Sequence, residues 1–257
     1  MAYREDEGLE FLRHMSSVDL QDLVDCLIKD TDGGSRMTEE LTPNDLYKKH
    51  HPDHAKYWQE IAAEIQCFGA NSLVTLVRGG KGVLYREVLI DVCSKTGAKH
   101  DAQGKVAEIE DALLSKILEG ALEKMTEAER IEFAKLVGFS NLKTFTPAGL
   151  AAAFQIAFKA GGFKSFQLTL IIVNYVSRAI LGRGLALAGN AALMRTAALL
   201  TGPVGWALTG AWTVADIAGP AYRVTMPAVI QVALLRKKYN LELNGFKKQI
   251  DEELSQQ

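Results

Sequence analysis

Between Pro147 and Leu235 the chain carries one acid, Asp216, against six bases, Lys159, Lys164, Arg178, Arg183, Arg195 and Arg223, in a background of alanine, glycine, leucine and valine. A tract so poor in charge cannot give every helix a wet face. Its helices must be apolar nearly all round, which suits a deep protein interior or lipid. The 146 residues before it hold 26 Asp and Glu against 18 Lys and Arg, a net of −8, whereas the tract carries +5. The formal charge of −2 for all 257 residues therefore hides two unlike regions.

The first region reads as a run of short amphipathic helices. Leu20, Leu23, Val24, Leu27 and Ile28 fall at i, i+3, i+4, i+7 and i+8, one stripe of a helix with Ser16 or Ser17 as cap and Gly33-Gly34 as stop. Leu9, Phe11, Leu12 and Met15 predict a shorter helix before it. Thr42-Pro43 looks like a cap followed by proline at the first helical position, leading into Leu46 and Tyr47. A helix beginning near Pro52 places Trp58, Ile61, Ala62, Ile65 and Phe68 on one face and stops at Gly69. Leu73–Val77, Leu84–Val92 and Val106–Ile117 continue the pattern, and Thr126–Glu129 is a capping box opening a helix with Ile131, Phe133, Ala134 and Val137. No segment alternates with period two for long enough to argue a strand.

The linker 138–147 marks the shift in composition and gives the domain reading: residues 1–140 as a soluble amphipathic helical module, residues 147–257 as an apolar helical bundle or hairpin region. Within the second, helices are placed near 148–160, 165–181, 184–200, 203–218 and 221–237, with Gly161-Gly162, Gly182, Gly202-Pro203 and Gly219-Pro220 as breaks and Pro227 as a kink or restart. Leu243, Phe246, Ile250 and Leu254 then make a separate amphipathic tail. The expected fold class is all-α, a multi-helix bundle.

Thr196–Ala215 has no charge over 20 residues, about 30 Å of helix and close to a bilayer's hydrocarbon thickness. Gly202-Pro203 inside it and three threonines weaken that fit. Arg178, Arg183 and Arg195 stand near the ends of apolar runs, where their heads can reach anionic headgroups; Trp206 and Trp212 lie in the longest uncharged run. These five residues are the expected contacts with membrane lipid or a hydrophobic protein partner. The alternative is that the arginines pair with the acidic first region and the tract is simply core. Nucleic acid is a poor partner, because the bases are few and set among alanine and leucine.

Chemistry is thin. His50-His51-Pro52-Asp53-His54 is the one histidine cluster, but Pro52 separates His50 from the helix of His54, so no metal site is assigned. Gly79-Gly80-Lys81-Gly82 lacks the GxxxxGK[ST] spacing and reads as a turn. Arg86, Glu87 and Asp91 make an ordinary helix-surface ion pairing. Cys26, Cys67 and Cys93 are odd in number, distant and outside any CxxC, which predicts small buried thiols in a reducing compartment. The acidic opening Met1–Glu7 is followed by no apolar leader core, so the expected location is cytoplasmic, peripheral to or inserted at the cytoplasmic face of the inner membrane. No catalytic residue, cofactor or metal is assigned, and the reading is not an enzyme.

Several blocks resemble the YaaW family of bacterial proteins, whose biochemistry is not established: Gly8–Ile28 (GLEFLRHMSSVDLQDLVDCLI), 51–92 (HPDHAKYWQEIAAEIQCFGANSLVTLVRGGKGVLYREVLIDV), 202–210 (GPVGWALTG) and 218–236 (AGPAYRVTMPAVIQVALLR). The resemblance implies a helical protein similar to the ubiquinol–cytochrome c chaperone domain, a module assisting assembly of a respiratory membrane complex. It assigns no residue. Composition and resemblance together predict a non-catalytic helical binding protein that engages a membrane surface or a hydrophobic partner. The alternatives are a soluble assembly chaperone with the tract as its core, and a membrane-inserting pore-forming or toxin-like effector.

Overall fold

The computed structural model describes residues 3–30, 33–36, 39–70, 82–182, 184 and 222–254. Among these the chain is all-α, with no strand and a single isolated bridge from Lys29 to Ser35. The expected segments 73–77, 184–200 and 203–218, the uncharged run 196–215, and Arg183, Arg195, Trp206 and Trp212 lie outside the described residues.

Ser16 opens α1 (Ser17–Ile28), its hydroxyl accepting the Asp19 N–H, and the whole stripe from Leu20 to Ile28 is buried. Ser17, the other candidate cap, instead donates to Asp53 at 2.6 Å and accepts the Ala55 N–H at 3.0 Å, tying α1 to the chain ahead of α3. The helix stops at Ile28, before Gly33-Gly34, because its apolar stripe ends there; Gly33, at φ 82°, serves the tight turn beyond. Residues Glu10–His14 form a 3-10 helix that buries Phe11 and Leu12.

Helix α2 (Asp45–His50) is capped by Asn44, whose Oδ1 accepts the Leu46 N–H at 2.8 Å. The expected Thr42-Pro43 start is thus displaced, since the Thr42 hydroxyl is engaged with Glu39. A 3-10 turn, His54–Tyr57, leads into α3 (Trp58–Ala70). Then come α4 (Tyr85–Thr96), closed by Gly97 in the left-handed region, α5 (Val106–Lys124) and α6 (Glu127–Leu136), the last opened by the Thr126–Glu129 capping box. Thr146 caps α7 (Pro147–Ala160), and Gly161-Gly162 turns the chain into α8 (Gly162–Leu181). The last helix, α9 (Tyr222–Leu254), runs unbroken for 33 residues, about 50 Å.

Two helices form the inside. In α8, Leu168–Ser177 is buried on every side, and in α9 so is Val224–Leu235. They pack on each other, while α9 also touches α1, α3, α4 and α5, and α8 touches α5 and α7. For these stretches the all-round apolar pattern is answered by protein. Each Val, Ile, Leu or Met so enclosed contributes roughly 1.5–3 kcal/mol, which offsets the cost of ordering so long a helix. Pro227 lies in the second turn of α9, where its missing N–H costs one intrahelical bond, and the helix passes through it. The tail is the continuation of this helix, not a separate one.

Leu23 is fully buried on α1 within the same cluster as Val229 and Ile230. Leu23→Ala should lower the unfolding free energy of the full chain by about 2–5 kcal/mol, read by urea denaturation; a change within error would place Leu23 outside the core.

Candidate functional site

At the C-terminal edge of the buried stretch of α9 stand three consecutive bases, and each meets an acid. Arg236 Nε lies 2.9 and 3.2 Å from the two carboxylate oxygens of Glu110, Lys237 pairs with Asp111, and Lys238 pairs with Asp19. At 100° per residue the three point in different directions, so they hold α9 against both α5 and α1. Glu110 is buried on α5 and also accepts the Tyr85 hydroxyl at 2.8 Å. The Arg236 guanidinium donates to the Gly8 carbonyl and lies 4.4 Å over the Phe11 ring. Burial, then the Glu110 carboxylate beside it, pushes the Tyr85 phenol well above its ordinary range, so it stays a donor. Burial alone would weaken the Arg236 charge, but Glu110 and Tyr85 outweigh it and raise the guanidinium's pKa.

The network continues toward the N-terminal segment. Asp6 Oδ2 accepts the Tyr85 N–H at 2.6 Å, supplying the cap that Leu84 cannot give to α4, and the carboxylate also faces that helix's positive end. Gln66 grips the same segment, its Oε1 accepting Arg4 N–H at 3.0 Å and its Nε2 donating to Arg4 O at 2.9 Å and Asp6 Oδ2 at 3.1 Å. Every polar group named here has a partner, and Asp6, Gln66, Tyr85 and Glu110 at its centre are buried. Such an arrangement locks helices together; it has no open position for a substrate.

Of the other groups with chemistry, His54, Cys26 and Cys93 are buried, while Cys67, expected to be buried, is half-exposed at the end of α3. His54 is buried between Tyr57, at its Nδ1, and Gln21 Oε1, 2.9 Å from its Nε2. Burial, then the nearby His51, depresses its pKa and favours the neutral ring. Burial pushes the Cys67 thiol to about 11 and the Cys93 thiol to about 12, which leaves both poor nucleophiles. Among the described residues no group of three or more His, Cys, Asp or Glu is arranged to hold a metal ion. An open groove of about 910 Å³ runs beside the Asp111–Lys237 pair between α5 and α7, with Lys99, His100, Asp101, Glu119 and Lys159 on its walls. Its charges are mixed in sign and select no single ligand class.

Of the sequence-predicted contacts, Arg178 is the one described. It is half-buried in the last turn of α8, where a base complements the helix C-terminus, and Gly184 folds back so closely that a Cβ there would lie 3.0 Å from its Nε. The residues that sequence reasoning missed are Asp6, Gln66, Glu110 and Arg236. One signal was present: Glu110 falls on the apolar stripe of Val106, Leu113 and Ile117, where a carboxylate needs a partner.

The fold and its central pair define an all-α helical module, and residues 53–230 match the family model described as ubiquinol-cytochrome C chaperone, while residues 3–37 match a domain of unknown function, DUF3944. Among curated relatives, a UPF0174 protein of Helicobacter pylori strain J99 is 49% identical over 93% of this chain and 94% of its own length. A second UPF0174 protein of that strain is 40% identical over 80% of this chain and all of its own length, and UPF0174 protein YaaW of Escherichia coli strain K12 is 36% identical over 91% and 95%. The chain belongs to the UPF0174 family. No solved structure matches it.

Two measurements check this electrostatic reading. Arg236→Met should cost about 3–5 kcal/mol, because it strands the Glu110 carboxylate; in the double variant with Glu110→Leu the losses should fall short of the sum of the singles, and additive losses would deny the coupling. Glu64 is buried near Glu39 and Glu40, and burial lifts its pKa to about 8. The folded state then holds a proton that the unfolded chain releases near its ordinary pKa. Stability should fall as pH rises from about 4.5 to about 8. Glu64→Gln should flatten that slope and raise Tm at pH 8, as differential scanning calorimetry would register.

Proposed function

We propose that this protein is a non-catalytic assembly factor that binds a hydrophobic protein partner at a membrane surface. The observation that carries the reading is the match of residues 53–230, most of the chain, to the ubiquinol-cytochrome C chaperone model. The charge pattern supports it, because the apolar tract carries net +5 against −8 in the residues before it, a polarity suited to anionic headgroups on one side only. In this reading residues 1–140 form the body and residues 147–257 carry the contact. Arg178, Arg183 and Arg195 meet headgroups or acids of the partner, and Trp206 and Trp212 meet its apolar part. Among the described residues no helix is long and apolar enough to cross a membrane.

The test uses the full chain with Trp58→Phe, which leaves Trp206 and Trp212 as reporters. Titration with anionic vesicles should shift their emission to the blue. Added salt should weaken the shift, and so should the triple change Arg178→Gln, Arg183→Gln, Arg195→Gln. Unshifted emission with both anionic and neutral vesicles would remove the membrane from the reading and leave a chaperone that meets its partner in solution.

A further inference from the structure

Gly161 and Gly162 join α7 to α8 with φ of +67° and +70°, backbone that side chains with a Cβ rarely adopt, and a Cβ built at either position would meet no atom within 4 Å. Gly161 is half-buried and Gly162 exposed, so the corner lies at the surface. Around it Ile156 and Phe163 are 69% and 53% exposed, on helices whose opposite faces bury Phe154, Phe158 and Phe166. Lys159 and Lys164 are exposed beside them. Ile156, Lys159 and Ala160 share one face of the last turn of α7 through their i, i+3, i+4 spacing, and Phe163 begins α8 just across the corner. Lys164 also reaches the Gly138 carbonyl at 3.2 Å and lies 4.7 Å over the Phe139 ring, which links the corner to the end of α6. From Phe133 to Ala215 the sequence contains no Asp or Glu.

An apolar pair at a surface corner, flanked by lysines in a stretch of sequence without carboxylates, is complementary to an anionic bilayer. Two exposed side chains are too few for a stable protein interface, which needs about 800 Å² from each partner. A fluid headgroup layer requires no matching surface, and lysine stems can lie along it while their ammonium groups meet phosphates.

We propose that the α7–α8 corner is a lipid-inserting tip, with Ile156 and Phe163 entering the headgroup region of an anionic bilayer and Lys159 and Lys164 against its phosphates. The tip rests on the membrane side of the function proposed above and gives it a site on other residues.

Sedimentation of the full chain with vesicles of phosphatidylcholine, with and without phosphatidylglycerol, tests it. The wild-type chain should partition into the anionic vesicles. Ile156→Ser with Phe163→Ser should lower that partition roughly tenfold or more. Lys159→Gln with Lys164→Gln should lower it by roughly fivefold per lysine at low salt. Far-UV circular dichroism and the urea midpoint serve as fold controls, and both should stay at wild-type values for side chains so exposed. Wild-type-like partition of the tip variants would overturn the tip while leaving membrane engagement to other residues. A wild-type chain that sediments with neither vesicle would overturn the tip and the membrane reading together. Equal binding to both vesicle types would overturn the role given to the lysines.

Discussion

Arg236 stands where α9 changes from a helix enclosed on every side to one with a wet face. A stretch such as Val224–Leu235, buried all round, carries little information about its own register, because an apolar side chain fits an apolar wall in many rotations. The register is set at its end. Arg236, Lys237 and Lys238 each meet a different carboxylate, from Glu110, Asp111 and Asp19. A slip of one residue would break all three pairs and drive the Arg236 charge against apolar neighbours. Burying a guanidinium costs several kcal/mol, and here Glu110, the Gly8 carbonyl and the Phe11 face share in offsetting it. The pair therefore matters more for choosing one arrangement than for adding stability.

The N-terminal segment depends on that arrangement. Gly8 offers its carbonyl to Arg236, while Asp6, two residues earlier, caps α4 through the Tyr85 N–H. Tyr85 in turn donates to Glu110. The loop of contacts thus runs from residue 6 to residue 236 and closes on itself through three helices, α4, α5 and α9. Electrostatics hold it in its working state: burial and Glu110 keep Tyr85 protonated, and Glu110 keeps Arg236 charged. A network with every member satisfied is rigid, which suits a body that presents other surfaces to a partner.

Local signals were legible in the sequence and distant ones were not. The stripe of α1, the capping box of α6 and the Gly161-Gly162 break all depend on neighbours within one or two turns, and they appear where the spacing places them. Thr42-Pro43 misled because a cap pattern does not reveal that Glu39 takes the hydroxyl, leaving Asn44 to open the helix. The tail read as a separate helix because charge density changes abruptly at Arg236, yet backbone hydrogen bonding is indifferent to that change and α9 runs on. The central network joins residues as far apart as Gly8 and Arg236. No periodicity reports such a pairing. Glu110, a carboxylate on an apolar stripe, was the one visible trace of it.

The contrast between the two regions also takes on a different meaning once the inner helices are placed. Low charge in the tract first invites a reading in terms of lipid, but the described parts of α8 and α9 spend their apolar surface on each other and on α1, α4, α5 and α7. Of the large apolar side chains on the described tract, Ile156 and Phe163 are the exposed ones, with Lys159 and Lys164 exposed beside them. Enclosure of the large apolar faces and the lack of acids in the sequence around the α7–α8 corner are separate consequences of one composition. The first builds a core without carboxylates to solvate. The second leaves two exposed lysines beside an exposed aromatic ring where the chain turns, the pairing on which the proposed lipid contact rests. In such a chain the surface that binds need not be the apolar stretches of α8 and α9, because these are already occupied.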